Sequence, residues 1–156
     1  NIPDILPILD WEVENIGASV GEKIHPFYKK LVYHDGLDLI VPMGTDVVAT
    51  ADGVVKTLKR SKKLQGTHIV IDHGNGYRTV YAHLSDVYVR EGKRVKKGEL
   101  IARVGNSGTS FAPHLHYGII KDSISLDPLS FVASTVDTRT YYNMLSVSIN
   151  TGQSLD

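Results

Sequence analysis

The stretch Pro113-His114-Leu115-His116 sets two imidazoles two residues apart behind a proline. In an extended strand such residues point to one face, so His114 and His116 would project side by side while Leu115 turns toward a core. Pro113 has no N–H and suits the first position of a strand. Two rings held parallel suit metal binding or proton transfer. A second source of chemistry lies upstream in His34-Asp35-Gly36-Leu37-Asp38, where an imidazole and a carboxylate sit four residues apart and would share one face of an extended segment. Gly36 between them tolerates backbone conformations that other residues resist. A further histidine ends the run Tyr77, Thr79, Tyr81, His83, and alternation puts His83 on the Tyr/Thr face near a strand end.

Taken together, His34, Asp38 and His116 would supply two nitrogens and one oxygen, which leaves one corner of a zinc tetrahedron open. Structural zinc sites close all four corners, usually with cysteine, and this chain has no Cys. An open site implies chemistry, since zinc lowers the pKa of its water and polarises a carbonyl. His83 and His114 would remain as groups that take the water's proton and stabilise a tetrahedral oxyanion. No H-E-x-x-H helix is present, which excludes a zincin-type glutamate base.

These stretches together resemble the lysostaphin/LytM-type zinc metallopeptidases, which are bacterial cell-wall endopeptidases. The signature H-x-x-x-D, then a His in Y-x-H-L, then H-x-H reads here as His34 to Asp38, Tyr81-Ala82-His83-Leu84 and His114-Leu115-His116. Ile24-His25-Pro26, Pro42-Met43-Gly44-Thr45, Ala51-Asp52-Gly53-Val54-Val55 and Gly105-Asn106-Ser107-Gly108 agree with it. The resemblance runs from about Gly21 to Phe131. It implies one zinc ion per chain on His34, Asp38 and His116, with His83 and His114 catalytic, and a peptide of peptidoglycan as substrate. Gly21-Glu22-Lys23, Tyr117-Gly118 after the H-x-H pair, and Ser110-Phe111-Ala112 depart from the usual family pattern. These departures bear on loop shape and substrate preference, not on the ligands.

The elements that must position these residues read as mainly β. Candidate strands are Leu39–Val41, Asp46–Ala49, Gly53–Lys59, Thr67–Asp72, Tyr77–Leu84, Leu100–Val104 and His114–Ile119. Gly74-Asn75-Gly76 between two alternating runs reads as a hairpin turn. The pattern is that of an antiparallel β-sandwich or barrel-like domain, not of βαβ units. Gly44-Thr45-Asp46-Val47 with Gly53-Val54-Val55 echoes Gly92-Lys93-Arg94-Val95 with Gly98-Glu99-Leu100-Ile101, which suggests a duplicated strand–turn–strand unit. The expected organisation is an N-terminal strap over residues 1–20, a metallopeptidase domain over 21–132 and a tail over 133–156 with a helix from about Thr138. The strap is expected on the back of the sheet rather than across the groove. Loops Ser61–Gly66 and Ser107–Ala112 are expected to flank the groove and choose the substrate.

Composition fits an ordinary globular domain, with 156 residues, 42% apolar and 22% charged. Seventeen basic and seventeen acidic residues give a formal net charge of zero, which offers no case for nucleic acid. No stretch reaches the length of a membrane-spanning helix. A chain beginning at Asn1 without Met reads as a trimmed fragment, with an anchor or export signal expected upstream and a periplasmic, secreted or envelope-anchored location.

Blander readings apply to the remaining features. His25 before Pro26 shapes a loop, His68 is an ordinary strand imidazole, and His73 is a polar residue before a turn. Lys59, Arg60, Lys62 and Lys63 form a solvated loop, and Arg90 to Lys97 a charged hairpin. Tyr33, Tyr81 and Phe111 are packing aromatics before they are groove residues. Two other functions compete. A non-catalytic cell-wall binder or hydrolase activator would have lost a ligand, and none is lost. A biotinyl/lipoyl carrier would match the rhythm from Val89 to Leu100 but would need a lysine at its central turn, where this chain has Gly74-Asn75-Gly76.

Overall fold

A computed structural model describes residues 2–24, 31–108 and 112–150. Its main sheet runs β12-β11-β7-β6-β5-β9, with β3 paired to β11. These strands are β3 (Leu37–Leu39), β5 (Gly53–Lys59), β6 (His68–Gly74), β7 (Tyr77–Ala82), β9 (Arg94–Val95), β11 (Leu115–Lys121) and β12 (Ile124–Leu126). A second sheet orders β4 (Asp46–Val48), β10 (Leu100–Val104) and β8 (Leu84–Val87), and β1 (Gly21–Ile24) pairs with β2 (Leu31–His34). Every pairing is antiparallel, and no barrel closes among the described residues. No helix of the described residues is long and apolar enough to cross a membrane.

The strands form where alternation buries one face. Ile69 and Ile71 of β6, Tyr81 of β7, and Leu115, Tyr117 and Ile119 of β11 are wholly buried and build one core with Leu37, Leu39 and Ile101. The turn between β6 and β7 has Asn75 and Gly76 at positive φ, the geometry that suits a two-residue hairpin. The echo between the two strand–turn–strand units has a structural counterpart. β4 pairs with β10 and β9 pairs with β5, so the first strand of each unit pairs with the second strand of the other.

The ends pack on this frame. Leu6, Ile8, Ile16 and Ala18 are buried, and the Val48 N–H donates to the Pro7 carbonyl at 2.8 Å. Asp4 pairs with Lys97, and its carbonyl accepts from the Thr135 hydroxyl. Further on, Ile16 bridges Leu39, while the Gly17 N–H and Ala18 carbonyl bond the Asp38 backbone, so residues 16–18 line the outer edge of β3. Helix α1 (Pro128–Val132) starts with Asp127 as its cap and Pro128 in its first turn. Helix α2 (Thr138–Asn150) begins where expected and buries Met144 and Ser148, and Trp11 packs partly buried against the core.

Candidate metal centre

The register between β3 and β11 sets Asp38 directly opposite His116, with Leu39 opposite Leu115 and Leu37 opposite Tyr117. The two polar residues therefore share one face, and their four apolar neighbours share the other and fill the core. His34 closes β2, and the turn at Asp35-Gly36 folds the chain back so that His34 Nε2 lies 3.1 Å from Asp38 Oδ1. His116 Nδ1 lies 3.5 Å from the same oxygen and His114 Nε2 lies 3.4 Å from it. One donor atom from each of His34, Asp38 and His116 falls within 4.8 Å of the other two, and all three side chains are buried. His34 and Asp38 do not share the face of one extended segment, as even spacing suggests. The turn between two strands joins them.

His83 reaches the site by a different route from the alternation expected of it. Ala82 is the register partner of His116, and Tyr81 that of Tyr117. A regular strand would turn His83 to the core face with Tyr81, away from His116. The backbone breaks instead at His83, whose φ of 62° lies in the left-handed region uncommon for residues with a side chain. The break separates β7 from β8 and brings the His83 ring to 4.8 Å from His114 and 6.3 Å from His116. His114 sits immediately before β11 and is wholly buried.

The second nitrogen of each ring is also held. His34 Nδ1 donates to the Ser19 carbonyl at 3.0 Å, His83 Nδ1 to the Ser107 carbonyl at 2.6 Å, and His114 Nδ1 to the Ala112 carbonyl at 2.8 Å. His116 Nε2 is held by a carboxylate, Asp35 Oδ1, at 3.1 Å. A carbonyl can only accept, so each Nδ1 bonded to one carries a proton, and in the neutral ring Nε2 then presents a lone pair. Nitrogen lone pairs from three rings thus converge on one buried carboxylate oxygen. Such convergence is repulsive unless protons or a cation sit among the groups. Neutral imidazoles with a carboxylate, each ring fixed by an outer partner, form a donor set that fits zinc.

Asp35, Ser19 and Ser107 were not among the residues singled out as holding these rings. Backbone carbonyls leave no mark in a sequence, whereas Asp35 beside Gly36 was visible but lay at odd spacing from His34. Ser107 does more than accept from His83. Its hydroxyl accepts from the Thr67 N–H and donates to the Leu84 carbonyl. The loops expected to flank the groove also meet, since a Cβ at Gly108 would lie 2.4 Å from Gly66 N.

Among the described residues, the other histidines, His68 and His73, stay apart. His68, the first residue of β6, bonds the Gly66 carbonyl two residues back. His73 is not a surface turn residue. It is 5% exposed and links the Asp52 carbonyl to the Thr79 hydroxyl, from which a buried chain continues through Tyr81 and Thr50 to Tyr117. Burial lowers the His73 pKa and raises those of the Tyr81 and Tyr117 phenols, which stay protonated as donors. Tyr81 is wholly buried and Tyr33 is 65% exposed. His25 and Phe111 lie outside the described residues.

The profile of peptidase family M23 matches residues 32–128. The chain is 42% identical over 98 residues to the peptidoglycan DD-endopeptidase ShyA of Vibrio cholerae, covering 63% of this chain and 23% of that protein. It is 40% identical over 120 residues to the DD-carboxypeptidase/endopeptidase Mpg of Neisseria meningitidis, covering 77% of this chain and 27% of that protein. The chain thus spans about a quarter of the length of these curated relatives. Among solved structures, a zinc-containing peptidase from Vibrio cholerae is similar at a TM-score of 0.71 and 30% identity, over 79% of this chain and 38% of that one. The catalytic domain of lysostaphin from Staphylococcus simulans is similar at 0.65 and 30% identity, over 77% and 94%. Zinc is the metal common to the donor chemistry and to the zinc-containing neighbour. The matched segment contains all five residues of the constellation, and the chain belongs to peptidase family M23.

Proposed function

We propose that this chain is a zinc endopeptidase domain that hydrolyses peptide bonds in the stem peptides or cross-links of peptidoglycan. His34, Asp38 and His116 hold the metal, and His83 and His114 are catalytic. The convergence of ring nitrogens on the buried Asp38 carboxylate carries this reading. Family membership and relatives named as peptidoglycan endopeptidases support the substrate. That substrate implies a working place outside the cytoplasm.

Bound zinc would supply a Lewis acid and bring the pKa of a water toward neutrality. His114, fixed through Nδ1 on Ala112, turns Nε2 to the cluster and there takes the proton of the attacking water. The protonated ring then returns it to the leaving amine. His83, fixed through Nδ1 on Ser107 and set beside the His114 ring, stabilises the substrate carbonyl oxygen as charge develops. Both rings are nearly or wholly buried, so their orientation is set before substrate arrives.

Asp38→Ala removes the only carboxylate of the ligand set and leaves two imidazoles, a weak cage. Elemental analysis of the purified variant should find most of the zinc gone. Full occupancy would contradict the ligand assignment.

A further inference from the structure

The outer partners of the four site histidines are not alike. Ser19, Ser107 and Ala112 offer backbone carbonyls to His34, His83 and His114, whereas His116 has the side chain of Asp35 at its Nε2. We propose that Asp35 is a positioning residue for His116, accepting the Nε2–H of that ring and so fixing the tautomer whose Nδ1 faces Asp38. The inference rests on His116 being a zinc ligand.

Two independent features of the structure bring the carboxylate there. First, the Nδ1 of His116 is the nitrogen on the Asp38 side, so a ring that ligates through it must carry its proton on Nε2. A carboxylate accepts that proton's hydrogen bond and increases the donor strength of the opposite nitrogen. Second, the turn that carries Asp35 is pressed onto the ring. A Cβ at Gly36 would lie 2.8 Å from His116 Nε2, 2.9 Å from Cε1 and 2.5 Å from the Tyr117 carbonyl oxygen. Only glycine lets the backbone come this close, and the approach sets the preceding residue against the Nε2 edge. The Asp35 side chain is 58% exposed while that of His116 is 6% exposed, so the carboxylate caps a buried ring from the solvent side. Asp35 takes no part in the core, so its replacement can test positioning without dismantling the fold.

The test is zinc affinity, measured by competition with a chromogenic chelator, on the unaltered chain, Asp35→Ala, Asp35→Asn and His116→Ala. Asp35→Ala should bind zinc about tenfold to a hundredfold more weakly, the range for outer-sphere partners of a ligating histidine. Asp35→Asn keeps an acceptor without the charge and should recover part of that loss. Melting temperatures of the zinc-free Asp35 variants should match that of the unaltered chain, which separates positioning from a structural role. Zinc affinity within twofold of normal in Asp35→Ala, with His116→Ala strongly impaired, would overturn the inference and leave the ligand assignment standing. Normal zinc affinity in His116→Ala would overturn the ligand assignment itself.

Discussion

His83 and His114 face one another at 4.8 Å, yet the backbone holds them by separate means, the Ser107 carbonyl for one and the Ala112 carbonyl for the other. Their roles should therefore be separable from metal binding. His83→Ala and His114→Ala should each retain zinc and lose about a hundredfold or more in turnover, the scale of a general acid or base. Steady-state rates beside metal content check this. Near-normal turnover in either variant would show that its ring is not used, and zinc loss in His114→Ala would show that it is a ligand in place of His116. The five residues were legible because histidine and aspartate at short fixed spacings are rare by accident. Their geometry was less so. Even spacing along a strand accounts for neither His83, which the left-handed backbone at its own position redirects, nor the His34–Asp38 contact, which a turn creates.

At the scale of elements, β5 and β10 have the bounds that alternation and glycine punctuation predict. β12 was missed because the preceding turn uses Asp122 and Ser123 at positive φ, with no glycine to announce it. The charged stretch from Arg90 to Lys97 is not the hairpin expected of it: Arg94 and Val95 form β9 and pair with β5, whereas the preceding β8 pairs with β10. The N-terminal segment shows the same limit. Its apolar residues announce packing, but not that residues 16–18 would line β3 and that the Ser19 carbonyl would orient His34. The first nine residues have a different role. They bury Leu6 and Ile8 and bond β4, Lys97 and Thr135. Deleting residues 1–9 removes two buried aliphatic side chains worth about 1.5–3 kcal/mol each, which corresponds to a melting temperature lower by on the order of 10 °C. Cleavage per folded molecule should not change. A severalfold gain in activity with unaltered melting would show instead that the segment obstructs the groove.

At the scale of the whole molecule, the core is held by more than apolar contact. The chain from His73 through Thr79, Tyr81 and Thr50 to Tyr117 lies in the core, on the face of β7 and β11 opposite Asp38 and His116. Every member is hydrogen-bonded, which is what makes polar groups tolerable there. Burial lowers the His73 pKa below its usual 6.5, opposed by the Asp52 carbonyl and the nearby Asp72 charge. The unfolded chain therefore takes up a proton at higher pH than the folded one does. Stability from this group is complete above 6.5 and is lost as pH falls from there through the lower folded value. His73→Gln, which keeps a donor and an acceptor, should be less stable at neutral pH but lose less stability on acidification. Melting curves of both proteins between about pH 7 and pH 5 give the comparison, with the site imidazoles common to both. Parallel pH profiles would mean that His73 does not titrate across this window.

The cluster around Asp38 is proposed to cut peptide bonds in peptidoglycan. Digestion of purified peptidoglycan by the zinc-loaded protein, with products identified by mass spectrometry, tests it most directly. The expected products are fragments with new amino and carboxyl termini within stem peptides or cross-links, with glycan strands left intact and no such products after chelation or in Asp38→Ala. Undigested peptidoglycan from a fully zinc-loaded chain, or cleavage that persists in Asp38→Ala, would contradict it.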